Sequence, residues 1–139
     1  MDQIDKTFTP GVIVVRLGQA VDFRNSETLL HNVHVLNLDT GKTVLNSALP
    51  IKGMVRAWTP EIAGAYAVLC DVHPEMEAYI LVTDSPYYTV ADEDGSFALE
   101  QIPAGDYTMR IWNAKDSKSS EQPVTITGAP AEIIGGPRR

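Results

Sequence analysis

Cys70-Asp71-Val72-His73-Pro74-Glu75-Met76 is the stretch on which the reading of this chain turns. It contains the only cysteine, with a histidine three positions later and a methionine six positions later. A thiolate, an imidazole and a thioether therefore fall within one short loop. A second imidazole, His31, lies 39 positions upstream of the cysteine. Together they make a trigonal His₂Cys set with a weak axial Met, a donor set suited to copper cycling between Cu(I) and Cu(II). The expected metal ligands are His31, Cys70, His73 and Met76.

The residues around this loop favour that arrangement. On an extended run into Cys70, Tyr66, Val68 and Cys70 share one face, which places the sulfur at an inward-facing strand end. Pro74 suits the turn that must follow. His31 opens another alternating segment and is followed by Asn32, whose amide can tie that strand to the cysteine loop. His34 falls on the opposite face from His31 in a regular strand and is read as non-ligating.

The same residues admit other readings. Zinc also takes Cys and His, but its structural sites prefer four strong ligands and a thioether is a poor one. A catalytic Cys70–His73 pair lacks an orienting third group and an oxyanion hole. Taken singly, His31 and His73 would be surface or loop histidines, and Met76 and Cys70 would be core filler.

The 139 residues suit one domain, or one domain plus an appendage. A net charge of −7 leaves nothing to neutralise a run of phosphates, which argues against nucleic acid. The longest apolar stretch, 62–70, is too short to span a bilayer and is interrupted by Gly64. A lone cysteine excludes an internal disulfide. The polar, acidic N-terminus does not read as a secretory leader. The chain is either cytoplasmic or, as favoured here, a periplasmic or secreted protein whose leader has been removed.

No segment keeps a helical period for three turns, whereas short alternating segments recur. Strands are expected over 11–16, 20–24, 31–36, 53–58, 64–69 and 76–82. After Pro86, a hairpin is expected from 87–91 and 96–99 around Asp94-Gly95, since Asp-Gly supplies the positive φ of a tight turn. A further strand carries Tyr107, Met109 and Ile111, and a last one covers 123–127 after a polar loop at 116–122. Short strands at this spacing suggest a β-sandwich. The DEDG run lacks the remainder of a twelve-residue calcium loop and reads as a turn. The Gly135–Arg139 tail has no apolar anchor and is expected to be mobile.

The HNVHV and CDVHPEMEAYILV segments resemble those of the cupredoxins, small blue-copper proteins such as amicyanin with the same C-x₂-H-x₂-M spacing. The likeness extends through FTPGVIVVRLGQAVDFRNSE and GAYAVLC, covering about residues 2–84. One departure is Ala63-Gly64, where many relatives carry Pro-Gly before the tyrosine. The resemblance implies an all-β, Greek-key cupredoxin β-sandwich followed by additional C-terminal β-strands, with one type 1 copper ion. His31, Cys70 and His73 match the equatorial ligands and Met76 the axial one. The YYTVADEDGSF and IPAGDYTMRIW runs resemble the second half of a carboxypeptidase-regulatory-like β-domain. That combination, and the MDQ tripeptide, are similar to secreted cupredoxins of the methylamine-utilization group. The implied division is 1–84 for the copper domain, 85–127 for the partial regulatory-like segment and 128–139 for a tail. Because half of that second sandwich is missing, the chain is either a trimmed fragment or packs these strands on the copper domain or a partner chain.

The implied function is outer-sphere electron transfer rather than enzymatic turnover, with His73 as the solvent-facing ligand. The runner-up is a carrier or buffer that hands on Cu(I). Asp71, Glu75 and Glu77 flank His73 where relatives often present an apolar patch. The expected partner is a cytochrome or oxidoreductase with a basic surface. Exposed strand edges in an incomplete C-terminal sandwich give a motive for homo-oligomers.

Overall fold

The computed structural model describes residues 1–130. The expected tail 128–139 lies mostly outside them, and Gly135–Arg139 wholly so. In chain order the strands are β1 (Asp2–Ile4), β2 (Thr7–Thr9), β3 (Val12–Arg16), β4 (Val21–Asn25), β5 (His31–Asn37) and β6 (Thr43–Leu49). They continue as β7 (Val55–Trp58), β8 (Gly64–Leu69), β9 (Glu77–Thr83), β10 (Gly105–Asn113) and β11 (Lys118–Ile126). A four-stranded sheet runs β2-β1-β4-β7 and a five-stranded one β3-β9-β8-β5-β6, while β10 and β11 form a separate hairpin. The pairs β1–β4 and β3–β9 are parallel, so the chain crosses between layers instead of meandering within one.

Alternation in the sequence fills the space between the two larger sheets. Strand β4 turns Val21, Phe23 and Asn25 inward and Asp22 and Arg24 outward. Strand β9 contributes Ala78, Ile80 and Val82 from the other side. Phe8, Val15, Val33, Val35, Leu49, Tyr66 and Val68 complete a single cluster that also contains Cys70 and Met76. Each fully buried Val, Ile or Phe contributes about 1.5–3 kcal/mol of apolar transfer. Cys70 and Met76 thus belong to the main core.

The turn into β8 is closed by its own tyrosine. Tyr66 donates its hydroxyl hydrogen bond to the Ile62 carbonyl at 2.7 Å, and its ring meets Trp58 edge-on at 5.1 Å. Gly64 between them has φ of 150°, and a Cβ there would lie 3.0 Å from the Asp39 carboxylate, so glycine is required. The same device recurs in the C-terminal segment, where the Tyr107 hydroxyl donates to the Pro103 carbonyl at 2.9 Å.

The C-terminal strands depart from the sequence expectation. Residues 87–99 form the Asp94-Gly95 turn, closed by Asp92 N–H to the Ser96 carbonyl at 2.8 Å, but no flanking strands. Tyr88, Val90, Phe97 and Leu99 are exposed there, so no apolar face holds the two arms together. The final strand begins at Lys118, not 123, because the polar residues 118–122 pair with 109–113 and need no core. An Arg110–Glu121 ion pair at 2.6 Å spans that part of the ladder. Strands β1, β2 and β6 were not anticipated. The first two are three residues each, and β6 is an edge strand with mostly exposed side chains.

Candidate metal centre

His31 begins β5, Cys70 follows the end of β8, and Glu77 begins β9. The ladders pair His31 with Leu49, His34 with Leu69, and Leu69 with Glu77, so all three strand ends lie at one end of the five-stranded sheet. The cysteine loop turns back through a hydrogen bond from Met76 N–H to the His73 carbonyl at 2.9 Å, with Pro74 at the second turn position. This turn returns His73 towards the sulfur, and Met76 is buried in the same cluster as Cys70.

Three donors converge. Cys70 Sγ lies 3.8 Å from His31 Nδ1 and 3.7 Å from His73 Nδ1, and the two Nδ1 atoms are 3.2 Å apart. An ion about 2.0–2.3 Å from each donor, at the centre of such a triangle, would give edges of about 3.5–3.8 Å. The observed triangle is within a few tenths of an ångström of that geometry. His31, Cys70 and His73 are the group of three ligand-type side chains that meets this condition among the described residues. A soft sulfur with two imidazoles and a thioether nearby fits one copper ion.

The His31 ring is prepared for such a role. Its Nε2 lies 2.9 Å from the Glu27 carboxylate, which itself accepts from the Lys6 N–H at 2.7 Å. A hydrogen on Nε2 satisfies Glu27 and leaves Nδ1 as a bare lone pair facing the sulfur. The His31 hydrogen bond is also the main cause holding the Glu27 carboxyl below its usual range. His31 is wholly buried, and Cys70 and Met76 nearly so, whereas His73 is half-buried. His73 is therefore the member of the set with access to solvent.

The remaining sequence expectations sort clearly. Met76 lies in the same buried cluster as Cys70. Asn32 joins its strand to the cysteine loop, accepting the Asp71 N–H at 2.6 Å through Oδ1. His34 stands apart, with Nδ1 2.9 Å from the Asp71 carboxylate and Nε2 2.6 Å from the Thr43 hydroxyl. Both its nitrogens are engaged away from the triangle.

Two further features escaped the sequence reading. Asn25 is fully buried and donates from Nδ2 to the carbonyls of Leu29 and Leu49, at 2.8 and 2.7 Å. It thereby staples the loop that leads into His31 onto the end of β6. An inward-facing asparagine ending an alternating strand was the available signal. The second feature is apolar: Leu29, Leu30, Ile51 and Val72 are exposed on loops adjoining this end of the sheet. The surface around His73 thus combines acidic residues with exposed aliphatic ones.

No family model matches the chain, and no curated protein sequence does. Solved structures do. A reduced amicyanin variant superposes with a TM-score of 0.53 at 24% identity, covering 59% of this chain and 78% of that one. An amicyanin variant in its Cu(I) form gives the same TM-score and coverage at 26% identity. A purple cupredoxin from Nitrosopumilus maritimus gives 0.50 at 23%, covering 57% of this chain and 84% of that one. A Cu-containing nitrite reductase from Thermus scotoductus SA-01 gives 0.54 at 22%, covering 60% of this chain but 22% of the other. The fold is the Greek-key cupredoxin β-sandwich, here extended by a C-terminal hairpin.

Proposed function

We propose that this protein is a type 1 copper protein that passes single electrons between redox partners by outer-sphere transfer. The observation that carries this reading is the buried triangle of His31 Nδ1, Cys70 Sγ and His73 Nδ1. Met76, buried in the same cluster as Cys70, would be a fourth and weaker ligand. Bound copper would supply a one-electron couple between Cu(I) and Cu(II). The protein's part is to hold the donors in one geometry for both oxidation states. Burial of His31, Cys70 and Met76 keeps water from the site, and the half-buried His73 ring is the proposed route for the electron.

The surface around His73 supports a partner with a basic rim and an apolar centre, such as a cytochrome or oxidoreductase. Asp71, Glu75 and Glu77 are exposed, as are Leu29, Leu30, Ile51 and Val72. In this reading the protein is not an enzyme and works in the periplasm or outside the cell. The similarity to amicyanin structures, one of them a Cu(I) form, agrees with it. We retain the division 1–84, 85–127 and 128–139 as part of the proposal. The Tyr107–Pro103 hydrogen bond supports a sandwich-derived origin for the C-terminal segment.

The test is addition of Cu(II) to the purified protein. An intense visible thiolate-to-copper band, one equivalent of bound metal and reversible voltammetry are expected. A protein that binds copper but surrenders it quickly to a competing chelator would be a Cu(I) carrier instead. Absence of the thiolate band would end the type 1 assignment.

A further inference from the structure

The cysteine loop is gripped on its outer side by side chains that the donor set does not require. The carboxylate of Asp71, next to Cys70, is approached from three side chains. Its Oδ1 lies 2.9 Å from His34 Nδ1, and Oδ2 accepts from Asn32 Nδ2 at 3.0 Å and Asn46 Nδ2 at 3.2 Å. Asn32 Nδ2 also donates to Asn46 Oδ1 at 2.9 Å. The His34 ring continues to the Thr43 hydroxyl, 2.6 Å from Nε2. Thr43 and Asn46 belong to the edge strand β6, and Asn32 and His34 to its neighbour β5. One neutral tautomer satisfies the whole chain of bonds: Nδ1–H donates to Asp71, and Nε2 accepts from Thr43.

We propose that His34 is a positioning residue for the metal loop, acting through Asp71. With His34 in place, the carboxylate stays where Asn32 and Asn46 can both reach it. Asn32 is then oriented to accept the Asp71 N–H, which fixes the backbone immediately after Cys70. Removing the imidazole frees the carboxylate to rotate to water, since half of that side chain is already exposed. The loop then opens more often, and the sulfur loses its fixed position relative to His31 and His73. In the metal-free protein the result is a more accessible thiol. In the copper protein it is an altered reduction potential with the ligand set unchanged, and this second consequence rests on the function proposed above.

Wild type, His34→Leu, His34→Asn and Thr43→Val are compared in two measurements. The first is the rate at which iodoacetamide alkylates Cys70 in metal-free protein under native conditions. His34→Leu is expected to react roughly three- to tenfold faster, the population change that losing one side-chain hydrogen bond produces. His34→Asn, whose amide can occupy the Nδ1 position, should stay near the wild-type rate, and Thr43→Val should fall between. The second measurement is the potential after copper loading. His34→Leu should keep the thiolate band but shift the potential, and His34→Asn should restore it.

Equal labelling and equal potential in His34→Leu and wild type would overturn the proposal. So would a His34→Asn no better than His34→Leu, which would mark a loss of packing alone. Loss of the thiolate band in His34→Leu would also overturn it, by making His34 part of the ligand set. If His34→Leu does not fold, Thr43→Val decides by the same two readouts. If wild type itself gives no thiolate band, the copper reading fails while the labelling series still decides the role of His34.

Discussion

The rings of Tyr79 and Trp112 meet with centroids 5.0 Å apart, which joins the C-terminal hairpin to strand β9 of the sandwich. Tyr79 points away from the core, between inward-facing Ala78 and Ile80, so this contact uses a face that would otherwise meet water. The phenol also donates to the Glu77 carboxylate at 2.7 Å. The hairpin is thereby attached three residues beyond Met76, on the strand that leaves the cysteine loop.

That attachment predicts a pH response. Burial, and then the hydrogen bond to Glu77, hold the Tyr79 phenol above its usual range. A raised pKa in the folded state means the stabilisation is complete below about pH 10, the unfolded value, and is lost as pH climbs through the folded value. Urea midpoints measured from pH 8 upward should fall more steeply in wild type than in Tyr79→Phe. Parallel profiles for the two proteins would remove the linkage.

The ligand assignment predicts a division between two histidines of one strand. Cys70→Ala should abolish the thiolate-to-copper band, and His34→Ala should leave it in place. The reverse outcome in absorption spectra of the copper-loaded variants would overturn the assignment.

The acidic residues near His73 predict that association with a basic redox partner slows as salt rises, because the Debye length shrinks to about 10 Å at 0.1 M. Glu75→Gln combined with Glu77→Gln should flatten that dependence in stopped-flow electron transfer. A wild-type rate indifferent to ionic strength would exclude electrostatic steering at this face.

The Tyr66 corner predicts a stability cost confined to the sandwich. Tyr66→Phe leaves the Ile62 carbonyl without its hydroxyl donor and should destabilise by about 1–2 kcal/mol in urea unfolding. Tyr107→Phe removes a solvent-exposed bond and should leave the main transition within about 0.5 kcal/mol. Equal losses in the two variants would contradict the difference in burial.

Legibility followed burial. Strand β8 was expected at 64–69 and is found at Gly64–Leu69, because Tyr66, Ala67 and Val68 are all buried and the segment is bounded by glycine. The edge strand β6 and the short β1 and β2 were missed because each buries a single residue, too few to show an alternating face, so pairing with a neighbour specifies them. The expected hairpin arms at 87–91 and 96–99 failed for the converse reason. Their apolar residues alternate, but among the described residues Tyr88, Val90, Phe97 and Leu99 stay exposed, with no layer covering them.

The sequence by itself determined the donor chemistry and the inward parity of Tyr66, Val68 and Cys70, since both depend on residue type and a period of two. It also separated His31 from His34, because residues three apart on a strand face opposite ways. Only the tertiary structure decided that Glu27 fixes the His31 ring, that Asn25 staples its loop, and that His34, Thr43 and Asn46 converge on Asp71. Those groups are drawn together by strand register and chain crossing, which join residues up to 37 positions apart and leave no periodic trace in the sequence.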